Sequence, residues 1–113
     1  MTDVTPVFAY FAAVRAKDAD ALLQLFSRDA ELVTLAGTFV GPEAIAGFYR
    51  DVAFTVDELR PEPGPLLVDG DRVAVEIRLT MNGTVSLVGD FFTLAGGRIT
   101  RLAVYSGPPS APG

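Results

Sequence analysis

Residues 69–97 read DGDRVAVEIRLTMNGTVSLVGDFFTLAGG and contain three turn signals: Asp69-Gly70, Asn82-Gly83 and Gly96-Gly97. Such dipeptides supply the positive φ that tight hairpins need. Their even spacing predicts four consecutive antiparallel strands, near residues 57–68, 72–81, 84–95 and 98–106. In the second of these, Val73, Val75, Ile77, Leu79 and Met81 alternate with Ala74, Glu76, Arg78 and Thr80, so one face belongs to a core and the other to solvent. The third is apolar on both faces, with Val88, Phe92 and Leu94 opposite Val85, Leu87 and Phe91. An antiparallel strand of that kind needs a cover on each side. Helices are expected on one side and a second copy of the chain, forming a homodimer, on the other.

Upstream, the hydrophobic period becomes helical. Val7, Tyr10, Phe11 and Val14 follow Thr5 and Pro6, a plausible N-cap and first-turn proline. Asp18 caps a second stripe of Ala19, Leu22, Leu23 and Phe26. Gly41-Pro42-Glu43 opens a third, with Ile45, Phe48, Tyr49 and Val52. Between the second and third stripes, Ala30–Leu35 is β-compatible and ends at Ala36-Gly37. The tail 107–113, rich in Gly and Pro, is expected to fray, which leaves residues 1–106 as a single domain. The order helix, helix, strand, helix, meander is α+β. It predicts three helices on one face of a curved antiparallel sheet, with a pocket between them open at one end.

Composition narrows the chemistry. The chain has 113 residues, half of them hydrophobic, and neither Cys nor His. That excludes disulfides, thiolate nucleophiles, Ser-His pairs and imidazole bases. Proton transfer must use carboxylates, tyrosines, Lys17 or water. No metal or other cofactor is expected. A net charge of −5 with no basic run argues against nucleic acid as a partner. No apolar stretch approaches the roughly 20 residues that span a bilayer. Met1-Thr2-Asp3 lacks a basic, then apolar leader, so a cytoplasmic location is expected.

The element order and several local segments resemble the nuclear transport factor 2-like superfamily, and within it the ketosteroid isomerases and SnoaL-like polyketide cyclases. The segments are Tyr10-Phe11-Ala12-Ala13 leading to Asp18, Leu25-Phe26-Ser27-Arg28-Asp29-Ala30, Gly41 with Ala44-Ile45 and Phe48-Tyr49, and Gly89-Asp90-Phe91-Phe92. The resemblance covers roughly residues 4–106 and implies a cone-shaped fold around an apolar pocket. It places the oxyanion-holding tyrosine of the isomerases on Tyr10, its supporting tyrosine on Tyr49 and the protonated acid on Asp90. The proton-shuttling acid falls on Thr34, whose hydroxyl cannot serve as a carboxylate base. Glu31, the nearest acid, has the opposite strand parity. The implied pocket wall is Val14, Phe26, Phe48, Val75, Ile77, Leu79, Phe92, Leu102 and Val104, around a small hydrophobic ligand.

Each site residue also has a plainer reading. A tyrosine at helical spacing among Phe and Val is ordinarily core, with its hydroxyl at the rim. Asp90 could pair with Arg78 or Arg101. Two functions therefore stay open at this level. One is isomerase- or cyclase-like chemistry through an enolate held by Tyr10 and Asp90, with water, the substrate or Asp90 itself moving the proton. The other is a non-catalytic ligand-binding or dimerisation domain that kept the pocket. The Thr34/Asp90 pair separates them, because an oxyanion hole without a base is partial machinery.

Overall fold

A computed structural model describes residues 2–109. Helices α1 (Thr5–Ala16) and α2 (Ala19–Leu25) come first, followed by strands β1 (Phe26–Thr34) and β2 (Gly37–Val40). Helix α3 (Pro42–Asp51) and a 3-10 turn (Ala53–Thr55) lead into β3 (Leu59–Pro63), β4 (Leu67–Asp69), β5 (Arg72–Met81), β6 (Thr84–Ala95) and β7 (Arg98–Pro109). The sheet runs β2-β1-β7-β6-β5-β3, with β4 also paired to β5. The α+β class and the three helices agree with the sequence reading, as does the alternation in β5 as far as Arg78. Val73, Val75 and Ile77 are buried there, while Glu76 and Arg78 are exposed. Beyond Arg78 the pattern departs from the expectation: Thr80, expected on the solvent face, is buried, and Met81, expected on the core face, is exposed.

The sheet departs from the expected wholly antiparallel form. It is mixed, because β1 lies parallel to β7, with Leu32 beside Leu102 and Val33 beside Ala103. Short α2 returns the chain to the end of the sheet where β7 begins, and Arg98 donates to the Gln24 carbonyl there at 2.9 Å. Periodicity reports which face a residue occupies and is blind to strand direction. Phe26 also moves. It is extended (φ −94°, ψ 141°) and opens β1, so it does not close the second helical stripe. The strand expected over 57–68 is two short ones. Gly64-Pro65 breaks it, although the Gly64 N–H still reaches the Glu76 carbonyl at 2.8 Å. Hairpin partner β2 was not expected. Strand β7 runs three residues past 106, and residues 110–113 of the tail lie outside the described residues.

Local chemistry explains the boundaries. Helix α1 starts one residue earlier than a Thr5 cap would require, and the Asp3 carboxylate accepts from the Thr5 N–H at 2.9 Å. It ends at Lys17, which is left-handed (φ 53°) and donates through Nζ to the carbonyls of Val56 and Asp57. That contact ties the helix end to the segment entering β3. Asp18 caps α2 as expected, accepting from Ala21 N–H at 3.1 Å. In β6, Val88, Asp90, Phe92 and Leu94 turn to the helices, and Leu87 and Phe91 turn outward. The core is the layer between, built on Val7, Phe11, Leu22, Phe26, Leu32, Ile45, Phe92, Ile99 and Leu102. No helix among the described residues is long and apolar enough to cross a membrane.

Candidate active site

Alternation in β6 carries one carboxyl to the helix-facing side. Asp90 sits opposite Val75 on β5 and Val104 on β7 and is only 3% exposed. Its Oδ1 is fully buried and has no hydrogen-bond partner. Taking a carboxylate out of water without a partner disfavours the charged form, and burial pushes the Asp90 pKa up to about 7. Neither of the arginines considered as partners reaches it. Arg101 is bonded to Glu31 at 3.1 Å on the far face, and Arg78 is an exposed residue of β5.

Tyr10 on α1 and Tyr49 on α3 meet hydroxyl to hydroxyl at 2.5 Å, both buried. Edge-to-face contacts fix their rings. Tyr10 packs against Phe11, Phe26 and Phe92, and Tyr49 packs against Phe48. Burial pushes the Tyr10 phenol well above its ordinary range, with Tyr49 and Asp90 adding to the effect. Tyr49 is raised as well, mainly by burial. Both phenols therefore hold their protons and act as donors at any neutral pH.

These groups line a cavity of about 320 Å³. Tyr10, Phe11 and Val14 form the α1 wall, and Phe48, Tyr49 and Ala53 form the α3 side. The sheet contributes Leu59 and Pro61 from β3, Ile77, Leu79 and Met81 from β5, Val88 and Asp90 from β6, and Val104 and Ser106 from β7. Thr34, Leu35 and Ala36, where β1 turns into β2, complete the lining. Asp90 is the only carboxyl in that lining.

Of the wall expected from sequence, Val14, Phe48, Ile77, Leu79 and Val104 line the cavity. Phe26, Val75, Phe92 and Leu102 do not; they are buried core residues. The paired residues Phe92 and Leu102 lie one inward-facing row beyond Asp90 and Val104, where Tyr10 and Phe11 pack directly on Phe92 and leave no space. Alternation fixes the face of a strand residue but not how far along the strand a cavity extends. For that reason the sequence reading also missed Phe11, Met81, Val88 and Ser106. Strand parity could have supplied Met81 and Val88. Leu59 and Pro61 were hidden by the misread first strand of the meander.

Thr34 lies in the lining, but its hydroxyl serves the turn. It donates to the Gly37 carbonyl at 3.2 Å and accepts from the Ala36 N–H at 3.1 Å. Glu31 does not line the cavity. Among the described residues, no group of three or more acidic side chains is placed to hold a metal ion.

A profile of the SnoaL-like domain matches residues 7–102. The chain belongs to the SnoaL-like domain family. Among solved structures, this SnoaL-like domain is similar to a candidate polyketide cyclase from Sinorhizobium meliloti, with 28% identity, 88% of this chain and 93% of that one covered, and a TM-score of 0.81. A Catenulispora acidiphila protein of ketosteroid isomerase-like fold, in complex with trimethylamine, is 23% identical over 89% of this chain and 84% of that one, with a TM-score of 0.79. TerC, co-crystallised with polyporic acid, is 23% identical over 92% and 90%, with a TM-score of 0.76. The nuclear transport factor 2-like fold is thereby established for the SnoaL-like domain. No match was found among curated protein sequences.

Proposed function

We propose that this SnoaL-like domain binds a small hydrophobic carbonyl or phenolic ligand in the cavity and promotes isomerase- or cyclase-type chemistry through an enolate. The ligand oxygen lies against Tyr10 and a protonated Asp90. The observation that carries this reading is the Asp90 carboxyl, buried in an apolar cavity with Oδ1 unpartnered. A native chain tolerates an orphaned buried polar atom where something else is meant to meet it. The likeness to the Sinorhizobium meliloti protein supports cyclase-type chemistry.

In this mechanism Tyr49 donates to the Tyr10 oxygen, which frees the Tyr10 proton for the ligand. Asp90 donates a second hydrogen bond. Donors fixed in a water-poor site stabilise a developing oxyanion by about 3 kcal/mol each, roughly 10²–10³ in rate. A second reading gives Asp90 the proton-transfer step itself. It is favoured because no other carboxyl lines the cavity and because its pKa of about 7 leaves both forms available near neutrality.

Binding of substituted phenols to the unmodified protein, Tyr10→Phe and Asp90→Asn tests both. Tyr10→Phe should weaken phenolate binding about 10–100-fold, the worth of one charge-assisted hydrogen bond. Unchanged affinity would make Tyr10 a packing residue. Asp90→Asn keeps a donor, so phenolate affinity should change less than tenfold. Loss of ketone α-proton exchange in the same variant assigns proton transfer to Asp90, and retained exchange excludes it. Absence of exchange in the unmodified protein would leave a binding domain without turnover.

The outer sheet face supports a homodimer. Leu87, Phe91 and Tyr105 are exposed there, and Phe91 and Tyr105 form a T-shaped pair 5.8 Å between ring centres. Single exposed apolar residues are ordinary, whereas a contiguous set on one sheet face marks an interface.

A further inference from the structure

The side chains that bring oxygen to the cavity are Tyr10, Tyr49, Asp90, Thr34 and Ser106. The two tyrosines bond to each other, and Thr34 spends its hydroxyl on the β1–β2 turn. Ser106 has no part in the oxygen-holding reading. It lies on β7 at the exposed rim, whereas Asp90 is almost completely buried at the inner end. Between them the wall is apolar, with Val88 and Val104 on the two strands that carry these residues.

Register fixes where Ser106 stands. Asp90 pairs with Val104, and Val88 pairs with Ser106. Residues two apart on a strand share a face, so these four side chains form one inward-facing set. The diagonal from Asp90 to Ser106 across the two strands is about 7–8 Å. Immediately beyond Ser106 the ladder slips. Ser86 pairs with Pro109, so Gly107 and Pro108 together stand opposite Leu87. A Cβ at position 107 would come within 3.0 Å of the Leu87 carbonyl oxygen, so the close approach of the two strands there depends on glycine. Bulges of this kind bend a strand and aim side chains beside active sites. A serine hydroxyl both donates and accepts, so at the mouth of an apolar cavity it can meet either kind of polar group on a ligand.

We infer that Ser106 is the second polar anchor of the cavity and selects ligands that carry a hydroxyl or carbonyl group about 7–8 Å from the oxygen held at the inner end. The inference rests on the reading above, in which Tyr10 and Asp90 hold that oxygen. It adds a specificity-determining residue and the direction in which the rest of the ligand lies, along β6 and β7 towards the rim. A ligand held at one oxygen swivels about it. Held at two, it keeps one edge of its skeleton against Asp90, the orientation that a proton transfer there needs.

Two pairs of probes, titrated at pH 6 onto the full chain by calorimetry or NMR, measure the effect. 2,6-Dihydroxynaphthalene has hydroxyls at opposite ends of two fused rings, a separation of that order, and 2-naphthol has one of them. Hydroquinone and phenol form a shorter pair, whose second hydroxyl falls short of the rim. The naphthalene diol should bind about 4–20-fold tighter than 2-naphthol, the product of about two for two equivalent hydroxyls and about 2–10 for one neutral hydrogen bond. In Ser106→Ala that ratio should fall to about two or below, and Ser106→Thr, which keeps the hydroxyl, should retain it. A ratio of about two in the unmodified protein, or one that Ser106→Ala leaves unchanged, overturns the anchor. Loss of the ratio in Ser106→Thr as well also overturns it, since the strand and not the hydroxyl would then be responsible. Hydroquinone preferred over phenol to the same extent as the longer diol overturns the spacing. Tyr10→Phe separates the inference from the reading beneath it, and should weaken both naphthalene probes alike while leaving their ratio. If neither weakens but the ratio still follows Ser106, the rim contact stands and the oxygen-holding reading fails. No binding of any probe overturns both.

Discussion

Asp90 couples the site to pH. An unfolded Asp releases its proton near pH 4, whereas the folded chain holds it to about 7. Between those values the folded state binds a proton that the unfolded state has lost, so stability falls as pH rises through the window. Below it the acid is neutral in both states and costs nothing extra. Above it the full penalty applies, roughly 4 kcal/mol for such a displacement. Asp90→Asn removes the titration. Its stability relative to the unmodified chain should therefore rise between pH 4 and 7.5 by a few kcal/mol, read from urea midpoints at each pH. A flat difference would mean that water or a rearranged partner satisfies the carboxylate. The same proton governs binding, since only neutral Asp90 donates. Affinity for a phenol that stays ionised throughout should be constant below pH 7 and fall about tenfold per pH unit above it.

At the scale of elements, two turns decide what surrounds the cavity. The β5–β6 turn places Asn82 at φ 50° and Gly83 at φ 83°. Glu58 braces it, with its side chain accepting from the Gly83 N–H at 2.8 Å and its own N–H donating to the Asn82 side chain at 3.0 Å. A Cβ at Gly83 would meet no atom within 4 Å, so any cost of adding one is backbone strain alone. Gly83→Ala should lose about 1–2 kcal/mol of stability in denaturant titrations. The β1–β2 turn matters chemically, because it carries Thr34. An aspartate at that position can still accept from the Ala36 N–H, as short acidic side chains do in turns, while bringing a carboxylate to the cavity lining. Thr34→Asp should raise α-proton exchange of 2-tetralone by about 10²–10⁴, the usual worth of a placed general base. Exchange that is already fast in the unmodified protein would show that the base lies elsewhere.

Taken whole, the molecule divides its apolar surface between two uses. The inner sheet face and the helices close most of theirs into core and leave the remainder as cavity. The outer face presents Leu87, Phe91 and Tyr105 to solvent. If that face joins two copies, light scattering should give twice the 12.0 kDa chain mass, and Phe91→Glu should return it to a single chain mass. A stable pair of this kind buries at least about 1,000 Å² in total, so one buried charge at its centre is enough to separate it. A concentration-independent monomer would remove the dimer.

Local sequence alone determined the helix stripes, the hairpin turns and the inward face of β5, because each depends on a period or a φ value carried by a few neighbouring residues. Strand parity put Asp90 on one face with Val88 and Phe92, but because β6 is apolar on both faces, the family resemblance and not the local pattern turned that face to the helices. Resemblance to a family, rather than any local signal, singled out Tyr10 and Tyr49; their spacing alone reads as core. Only the tertiary structure decided that β1 runs parallel to β7, that Phe26 belongs to a strand, and that Thr34 spends its hydroxyl on a turn. It alone decided that the cavity stops at Asp90, leaving Phe92 and Leu102 in the core. These outcomes depend on which elements pack together and how deeply side chains from distant parts of the chain fill the space between them, and no stretch of sequence holds that information by itself.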